Sequence, residues 1–366
     1  MAKYKLGDIC EIVSGSTPKT SIEEYWDGDI KWITPAEIND DTYIVTDSVR
    51  KITDLGAKKT GLSPFPEGTV ILSSRAPIGK VAIAGCAMCC NQGFKNLICS
   101  EKILNKYLYW FLKGNTSFLN SLGRGATFKE ISKSIVSQIE INVPEIEYQK
   151  EAADILEKVS EVIYLRKQEL SALDNLIKAR FIEMFGDVQH EEKYKGIPLR
   201  DLCTTMSGGT PSTKFPEYYE GDIPWISTVS LGPNHINGST AKGYITQEAI
   251  ENSATKLIPA GNILFGTRVG VGKSSLNDVD ICTNQDIVAI IGIDESRFKR
   301  LFIKYVLDAY QPYYDSIKKG ATILGITGDD LKDTLIPDVP LSIQVEFELF
   351  VEQVDKSKVI KLKNES

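Results

Sequence analysis

Three cysteines stand close enough in the sequence to suggest a metal site. Cys86, Cys89 and Cys90 form a Cys-x-x-Cys-Cys cluster. A structural zinc site needs four ligands, which are often supplied by two such knuckles. The other cysteines are scattered, and His190 and His235 are the only histidines. We therefore predict reduced, packed cysteines and no metal site.

The glycine-rich segment from Gly266 to Ser274 resembles the phosphate-binding loop of nucleotide hydrolases. That loop places four residues between its first glycine and the Gly-Lys pair, whereas five residues separate Gly266 from Gly272. A similar earlier segment, 73–80, has no glycine at its start. The spacing argues against nucleotide binding. Motifs of amino-methyltransferases and nucleases are also missing from the sequence, so we predict a binding protein without a catalytic site.

Both segments carry an arginine and a lysine at the same spacing. Four residues separate Arg75 from Lys80, and four separate Arg268 from Lys273. A hairpin with two cations suits contact with the phosphates of a nucleic acid. The alternative is that each arginine pairs with an internal carboxylate, such as Asp29 or Asp222, and that only the lysine is solvated.

Two further groups of polar residues are candidates for the same contact. Ser16, Lys19 and Thr20 lie in or beside a Gly-x-Thr-Pro sequence, which also reads as an ordinary turn. Basic residues beside a flexible glycine form the second group, whose alternative is a solvated loop. Its members are Arg124, Lys129, Lys318 and Lys319.

The chain contains an internal repeat that positions all of these residues. The Gly-Asp-Ile-x-Trp-Ile sequence ending at Ile33 returns with its tryptophan at Trp225, an offset of 193 from Trp32. Near the end of each copy the offset becomes 195, as Gly125 answers to Gly320. Residues 34–66 and 227–259 differ in sequence but keep the same length, and a two-residue insertion lies further along the second copy. Repeated scaffolds with different variable residues suit a protein that binds two different halves of one ligand.

The first copy continues into a segment without Gly or Pro, from Glu145 to Phe185, which is rich in strong helix formers. About 40 residues of helix would span roughly 60 Å. Apolar residues recur at heptad spacing along it, and the segment after Pro340 has an apolar stripe of its own, so we predict an antiparallel helix pair. The predicted pairing seam is Leu156, Val159, Ile163, Leu170, Leu173, Ile177, Met184, Phe347, Phe350 and Val354.

Composition narrows the class of protein without deciding it. The chain is 42% hydrophobic and 25% charged, and no window approaches the roughly 18 unbroken apolar residues of a membrane span. The N-terminus lacks the features of a secretory signal, so we expect a cytoplasmic protein. The formal net charge of −7 counts mildly against a nucleic-acid binder. It does not exclude a local basic surface.

The repeated Leu-x-Asp-(Ile/Leu)-Cys, Ser-Gly-x-Thr-Pro and Gly-Asp-Ile-x-Trp-Ile sequences, the late Gly-Ala-Thr, and a long helix ending in Phe-Ile-Glu-Met-Phe-Gly-Asp form one pattern. This pattern resembles the specificity subunits of type I restriction-modification enzymes, and the resemblance covers essentially the whole chain. It implies an α+β protein with two duplicated target-recognition domains separated by two long antiparallel helices that form a coiled-coil spacer. The implied bounds are 1–144 for the first domain, 145–187 for the central helix, 188–340 for the second domain and 341–366 for the last helix.

The resemblance also implies a function and partners. Each domain would recognise one half of a bipartite, asymmetric site in double-stranded DNA. The helices would dock two modification (methyltransferase) subunits, and restriction subunits would add translocation and cleavage. S-adenosylmethionine, ATP and Mg²⁺ would bind to those partners and not to this chain. The alternative from another class is a two-domain adaptor that binds proteins through the same variable surfaces, as the negative charge would allow.

Overall fold

A computed structural model describes residues 2–75, 77–125, 129–190, 193–320 and 323–363, with side chains described as far as 358. The chain divides into two compact units, Met1–Gln168 and Glu169–Ser366. The division falls inside the long central helix, which contributes residues to both units. The Ala-Thr pairs of the two late Gly-Ala-Thr sequences, 126–127 and 321–322, lie outside the described residues.

The described residues of the first unit form ten strands in three sheets. The five-stranded sheet has the order β2-β9-β6-β7-β4, the three-stranded sheet has the order β5-β3-β8, and β1 pairs with β10. The β4–β7 and β3–β8 pairs are parallel and the others are antiparallel. The strands are β1 (Ala2–Lys5), β2 (Cys10–Ser14), β3 (Trp26–Ile33), β4 (Ile44–Val45), β5 (Arg50–Ile52), β6 (Val70–Leu72), β7 (Val81–Ala84), β8 (Cys89–Cys90), β9 (Lys95–Cys99) and β10 (Glu140–Val143).

The second unit repeats this topology strand for strand. Its sheets have the orders β12-β19-β16-β17-β14, β15-β13-β18 and β11-β20. Each strand is therefore the counterpart of the one numbered ten lower. The strands are β11 (Gly196–Pro198), β12 (Thr204–Ser207), β13 (Ile223–Ile226), β14 (His235–Ile236), β15 (Gly243–Ile245), β16 (Ile263–Gly266), β17 (Ser274–Asn277), β18 (Cys282–Thr283), β19 (Ile287–Ile291) and β20 (Leu335–Pro337).

Helices connect and cover these sheets, which confirms the predicted α+β class with two duplicated domains. In the described ranges no helix is both long and apolar enough to cross a membrane. The helices are α1 (Leu6–Ile9), α2 (Asp54–Thr60), α3 (Asn105–Gly114), α4 (Thr116–Ser121), α5 (Lys133–Ser137), α6 (Ile146–Phe185), α7 (Gln247–Glu251), α8 (Arg300–Ala309), α9 (Gln311–Ile317), α10 (Gly328–Lys332) and α11 (Leu341–Lys363).

The repeat extends to the hydrogen bonds that begin the short helices. The Thr53 hydroxyl caps α2 by accepting from Gly56 N at 3.1 Å, and Thr246 caps α7 in the same way. Ser132 caps α5 and Thr327 caps α10. An N-cap side chain satisfies a backbone donor that the helix leaves unpaired. The caps therefore fix where the equivalent helices begin in both units.

The long helix α6 ends where the sequence predicts. It stops at Phe185, and Gly186 follows with φ of 79°, a left-handed conformation that glycine adopts without strain. The last turns of α6 pack against α11 in the second unit. Phe181 and Phe185 place their rings 5.5 and 5.4 Å from that of Phe347. Ile177 and Val354 belong to the same buried cluster.

The two helices run antiparallel in this unit. Arg180 of α6 pairs with Glu346, near the start of α11, while Asp174, an earlier residue of α6, pairs with Lys358, a later residue of α11. Leu173, Met184 and Phe350 are partly buried against the cluster. Leu170 is partly buried as well.

The predicted seam residues in the first part of α6 have different surroundings. Leu156, Val159 and Ile163 are 43%, 50% and 52% exposed. Their neighbours Ile155 and Val162 are also more than half exposed. Burial of the seam against α11 is therefore confined to the C-terminal part of α6, where Leu173, Ile177 and Met184 belong to or pack against the cluster that contains Phe347 and Val354.

Phe347→Ala is expected to destabilise the second unit by about 3–5 kcal/mol, because the ring is fully buried among three other aromatic rings and its loss leaves a cavity. Hydrogen exchange measured by mass spectrometry should show lost protection in α8, α11 and the last turns of α6. The matched control Leu349→Ala removes a side chain that is 54% exposed and should leave protection unchanged. Unchanged exchange in Phe347→Ala would contradict the described packing.

Candidate nucleic-acid interface

In the first unit, Arg75 lies in the loop between β6 and β7 and makes an ion pair with Glu130. Arg75 Nε donates to Glu130 Oε2 at 3.0 Å. The other carboxylate oxygen accepts from Lys95 Nζ at 3.2 Å, and Lys95 is only 7% exposed. Lys95 also donates to Ser74 Oγ. One carboxylate thus holds a buried lysine and a half-exposed arginine in fixed positions.

Backbone hydrogen bonds bring a second predicted segment to this loop. Ile131 N donates to Ser74 O at 2.9 Å, and Glu130 exchanges two backbone hydrogen bonds with Arg124. Arg124 and Lys129, both exposed, therefore lie beside Arg75 although about 50 residues separate them in sequence. Partial burial favours the neutral form of Glu130, but hydrogen bonds from Arg75 and Lys95 outweigh it and lower the pKa of the carboxyl.

The Gly-x-Thr-Pro turn makes the same side-chain hydrogen bond in both units. Thr17 Oγ1 donates to the Gln92 side-chain oxygen, and the equivalent Thr210 donates to Gln285 Oε1 at 2.6 Å. In the first unit, Trp32 Nε1 donates to the backbone oxygen of Ser16, whose own side chain is partly buried. The turn is thus anchored to the buried tryptophan. Lys19 and Thr20 follow it with exposed side chains.

The second unit brings the equivalent loops together with different side chains. Ile326 N donates to Thr267 O at 2.9 Å, which is the counterpart of the Ile131 bond. Arg268 is more exposed than Arg75, and among the described residues its nearest carboxylate is Asp286 at 3.9 Å, beyond hydrogen-bond distance. Gly325 replaces Glu130. Its backbone approaches so closely that an added Cβ would lie 2.9 Å from Arg268 Cγ.

The two predicted lysines of this second loop differ in their surroundings. Lys319 is exposed, and it exchanges two backbone hydrogen bonds with Gly325. Lys318 is partly buried and pairs with Asp315. Lys319 therefore lies nearer to Arg268 and has the more accessible ammonium group.

The hairpin lysines Lys80 and Lys273 have different surroundings in the two units. Lys80 Nζ donates to Pro35 O at 2.8 Å and is partly buried. Lys273 is exposed and lines a cleft of about 860 Å³ in the second unit. The buried Lys304 of α8 lines that cleft too, and it donates to Asp308 at 2.7 Å and to Asn234. Contact of the hairpin cations with phosphates stays a prediction, and the two lysines differ in how accessible their ammonium groups are.

An internal carboxylate was the alternative partner predicted for Arg75, but the residue named for it was wrong. A carboxylate does hold the arginine, but it is Glu130 and not Asp29. Sequence reasoning also missed Lys95 and the paired threonine and glutamine. The threonine and glutamine recur in both copies, so the repeat carried a signal for them. Gly325 stands at the position of Glu130 and Val288 at that of Lys95, so the repeat gave no signal for the glutamate or the lysine.

The cysteine cluster and the glycine-rich loop do not form the sites that their sequences resemble. Cys89 and Cys90 are buried strand residues, and burial raises the pKa of the Cys89 thiol to about 11. Within the described part of the chain, no group of three or more His, Cys, Asp or Glu side chains is placed to hold a metal ion. The loop from Gly266 joins two antiparallel strands, β16 and β17, whereas a nucleotide-binding loop leads into a helix.

A family model provides the deciding comparison. The model described as the type I restriction modification DNA specificity domain matches residues 1–175 and matches again over residues 191–366. The chain belongs to this family. The two matches agree with the repeated sheet order of the two units.

Individual relatives are specificity subunits of type I restriction enzymes. The MjaIX specificity subunit of a type I restriction enzyme from Methanocaldococcus jannaschii is 32% identical over 282 residues, which cover 71% of this chain and 64% of that protein. The EcoR124I/EcoR124II specificity subunit from Escherichia coli is 29% identical over 274 residues, which cover 70% of this chain and 64% of that protein. The chain therefore spans somewhat under two thirds of the length of these relatives.

Solved structures share the fold at lower identity. One chain comes from a structure of the assembly and conformational transition of a type I R-M system. It has a TM-score of 0.55 and 19% identity, and the match covers 99% of this chain and 92% of that one. The S subunit of a type I restriction-modification system from M. genitalium has a TM-score of 0.52 and 14% identity, with coverage of 99% and 91%.

The different surroundings of the two lysines predict different effects of their removal. Lys273→Ala in the assembled complex is expected to weaken binding to all DNA sequences alike, as the loss of a phosphate contact does. The slope of log binding constant against log salt concentration should become shallower by about one. Lys80→Ala should have a smaller effect, because its ammonium already donates to Pro35 O.

Fluorescence anisotropy at several salt concentrations measures both quantities. Lys58→Ala, which removes an exposed positive charge at the end of α2, is the control for net charge. Equal affinity and equal salt slope in Lys273→Ala and the wild type would rule out the phosphate contact.

Proposed function

We propose that this chain is the DNA sequence-specificity subunit of a type I restriction-modification complex and that it has no catalytic site. Its two units would each recognise one half of a bipartite, asymmetric site in double-stranded DNA. One observation carries the proposal: the same two loops meet in both units, at Ser74 and Ile131 and at Thr267 and Ile326, but they present different side chains. A shared frame with different contact residues suits two different half-sites.

The cations of these loops support the contact with DNA despite the acidic net charge. Arg75, Arg124 and Lys129 lie together in the first unit, and Arg268 and Lys319 lie together in the second. A local basic surface attracts phosphates even where the whole chain carries a formal charge of −7.

We further propose that the first part of α6 docks the modification subunits, which would bind S-adenosylmethionine, while restriction subunits would use ATP and Mg²⁺. Support comes from the apolar side chains that this part of the helix leaves at the surface. Leu156, Val159, Ile163 and Leu165 are 43–54% exposed. Clustered exposed apolar residues mark protein interfaces. The assembled complex would act on DNA in the cytoplasm.

The direct test is to co-express the full chain with its cognate modification subunit and to map methylated bases across the host DNA. We expect a split, asymmetric motif with a gap of fixed length. Stable assembly without any sequence-specific methylation would contradict the proposal and favour a protein-binding adaptor. Competition with excess nonspecific DNA and titration with salt separate the two functions further. Only a DNA-binding complex should be competed off by the DNA, and only its affinity should fall steeply with salt.

The same assay tests α6 as the spacer between half-sites. Insertion of four residues near Glu161 would add about 6 Å of helix, and successive base pairs are about 3.4 Å apart. We therefore expect the gap in the methylated motif to lengthen by one or two base pairs while both half-sites stay the same.

The matched control replaces exposed Lys158 and Glu161 with alanine and keeps the helix length. That variant should methylate the wild-type motif. A gap that stays constant in the insertion variant, with methylation intact, would show that α6 does not set the spacing.

A further inference from the structure

Arg75 is held by one nitrogen in a way that leaves its terminal edge available. Its Nε donates to Glu130, and the described residues accept no hydrogen bond from Nη1 or Nη2. The side chain is 45% exposed. The terminal edge of a guanidinium carries two parallel donors, which match the O6 and N7 acceptors of guanine in the major groove.

Glu130 is itself fixed on several sides. Lys95 holds its second oxygen, and its backbone N and O are bonded to Arg124. The next residue, Ile131, is buried and bonded to Ser74. Because the acceptor cannot move far, the arginine loses little conformational freedom on binding, and the direction of its two terminal donors is set in advance.

The Glu130 carboxylate also makes Arg75 better suited to contact a base than a phosphate. It lies against the guanidinium and offsets part of its charge, which weakens the long-range attraction to phosphate. It leaves the two terminal donors intact, and a neutral base edge depends on donor geometry more than on net charge. Held in this way, Arg75 suits readout of a base better than it suits anchoring of the backbone.

We infer that Arg75 recognises a guanine in the half-site bound by the first unit, and that Glu130 is the residue that positions it. The inference rests on the proposed function, because it names the base contact that one recognition domain makes. The second unit lacks the same support. Gly325 and Val288 stand in place of Glu130 and Lys95, and Asp286 lies 3.9 Å from Arg268. A guanine preference that depends on a positioned arginine is therefore expected only in the half-site bound by the first unit.

The experiment uses complexes of the full chain with its modification subunits and a randomised double-stranded DNA library, from which bound sequences are enriched and counted. The wild type should enrich a bipartite motif with guanine at a fixed position in one half. Arg75→Ala should lose about 5- to 150-fold of the preference for guanine at that position. The other half-site should be unchanged.

Variants of Glu130 test the positioning role with Arg75 still present. Glu130→Ala removes the acceptor and should reduce the guanine preference at the same position. Glu130→Gln retains an oxygen that can accept from Arg75 Nε and should restore most of that preference. Thermal unfolding and assembly are measured for each variant. A merely structural role for Glu130 would lower stability without changing the preferred base.

Arg124→Ala is the matched control, since it removes an exposed cation that flanks the same glutamate. It should weaken binding to all sequences alike. If Arg75→Ala behaves like Arg124→Ala, with uniform loss and the same enriched motif, Arg75 contacts a phosphate and the inference is wrong. A wild-type complex that enriches no motif would overturn the proposed function, and the inference with it.

Discussion

One backbone hydrogen bond, made twice, determines where the candidate contact residues lie. Ile131 N donates to Ser74 O in the first unit, and Ile326 N donates to Thr267 O in the second, each at 2.9 Å. Each bond ties the hairpin loop of the five-stranded sheet to the segment that follows a short helix. The isoleucine is buried in both units, so the bond lies at the edge of the core and is shielded from water. The arginine of the hairpin and the basic residues of the second segment become neighbours as a result.

The same frame carries different chemistry in the two units. In the first unit the frame places a carboxylate at residue 130, which holds Arg75 and the buried Lys95. In the second unit the equivalent Gly325 lets the backbone itself approach Arg268. The hairpin arginine and lysine and the capping residues Thr53 and Thr246 recur at equivalent positions, whereas Glu130 and Lys95 of the first unit have no equivalent in the second. We propose that these differences change what a unit binds, while the sheet order stays the same in both units.

The sequence was sufficient for the features that depend on local pattern or on the repeat. The offset between Trp32 and Trp225 predicted two domains of one topology, and the helix-forming run predicted α6 and its end at Gly186. The pair of Arg75 with Glu130 was beyond sequence reasoning, because the two residues are 55 positions apart and the second copy has no equivalent pair. Heptad spacing likewise did not reveal that Leu156 lies exposed, since spacing identifies an apolar stripe but not what covers it.

We propose that the two units use equivalent surfaces on different halves of one DNA site. Site-specific photo-cross-linking tests it most directly, with p-benzoylphenylalanine placed at Lys129 in one complex and at the equivalent Leu324 in another; both residues are exposed. Sequencing of the cross-linked DNA should place the Lys129 adducts in one half of the recognition site and the Leu324 adducts in the other half. Adducts of both positions in the same half-site, or none at either position in a complex that binds DNA specifically, would contradict the account.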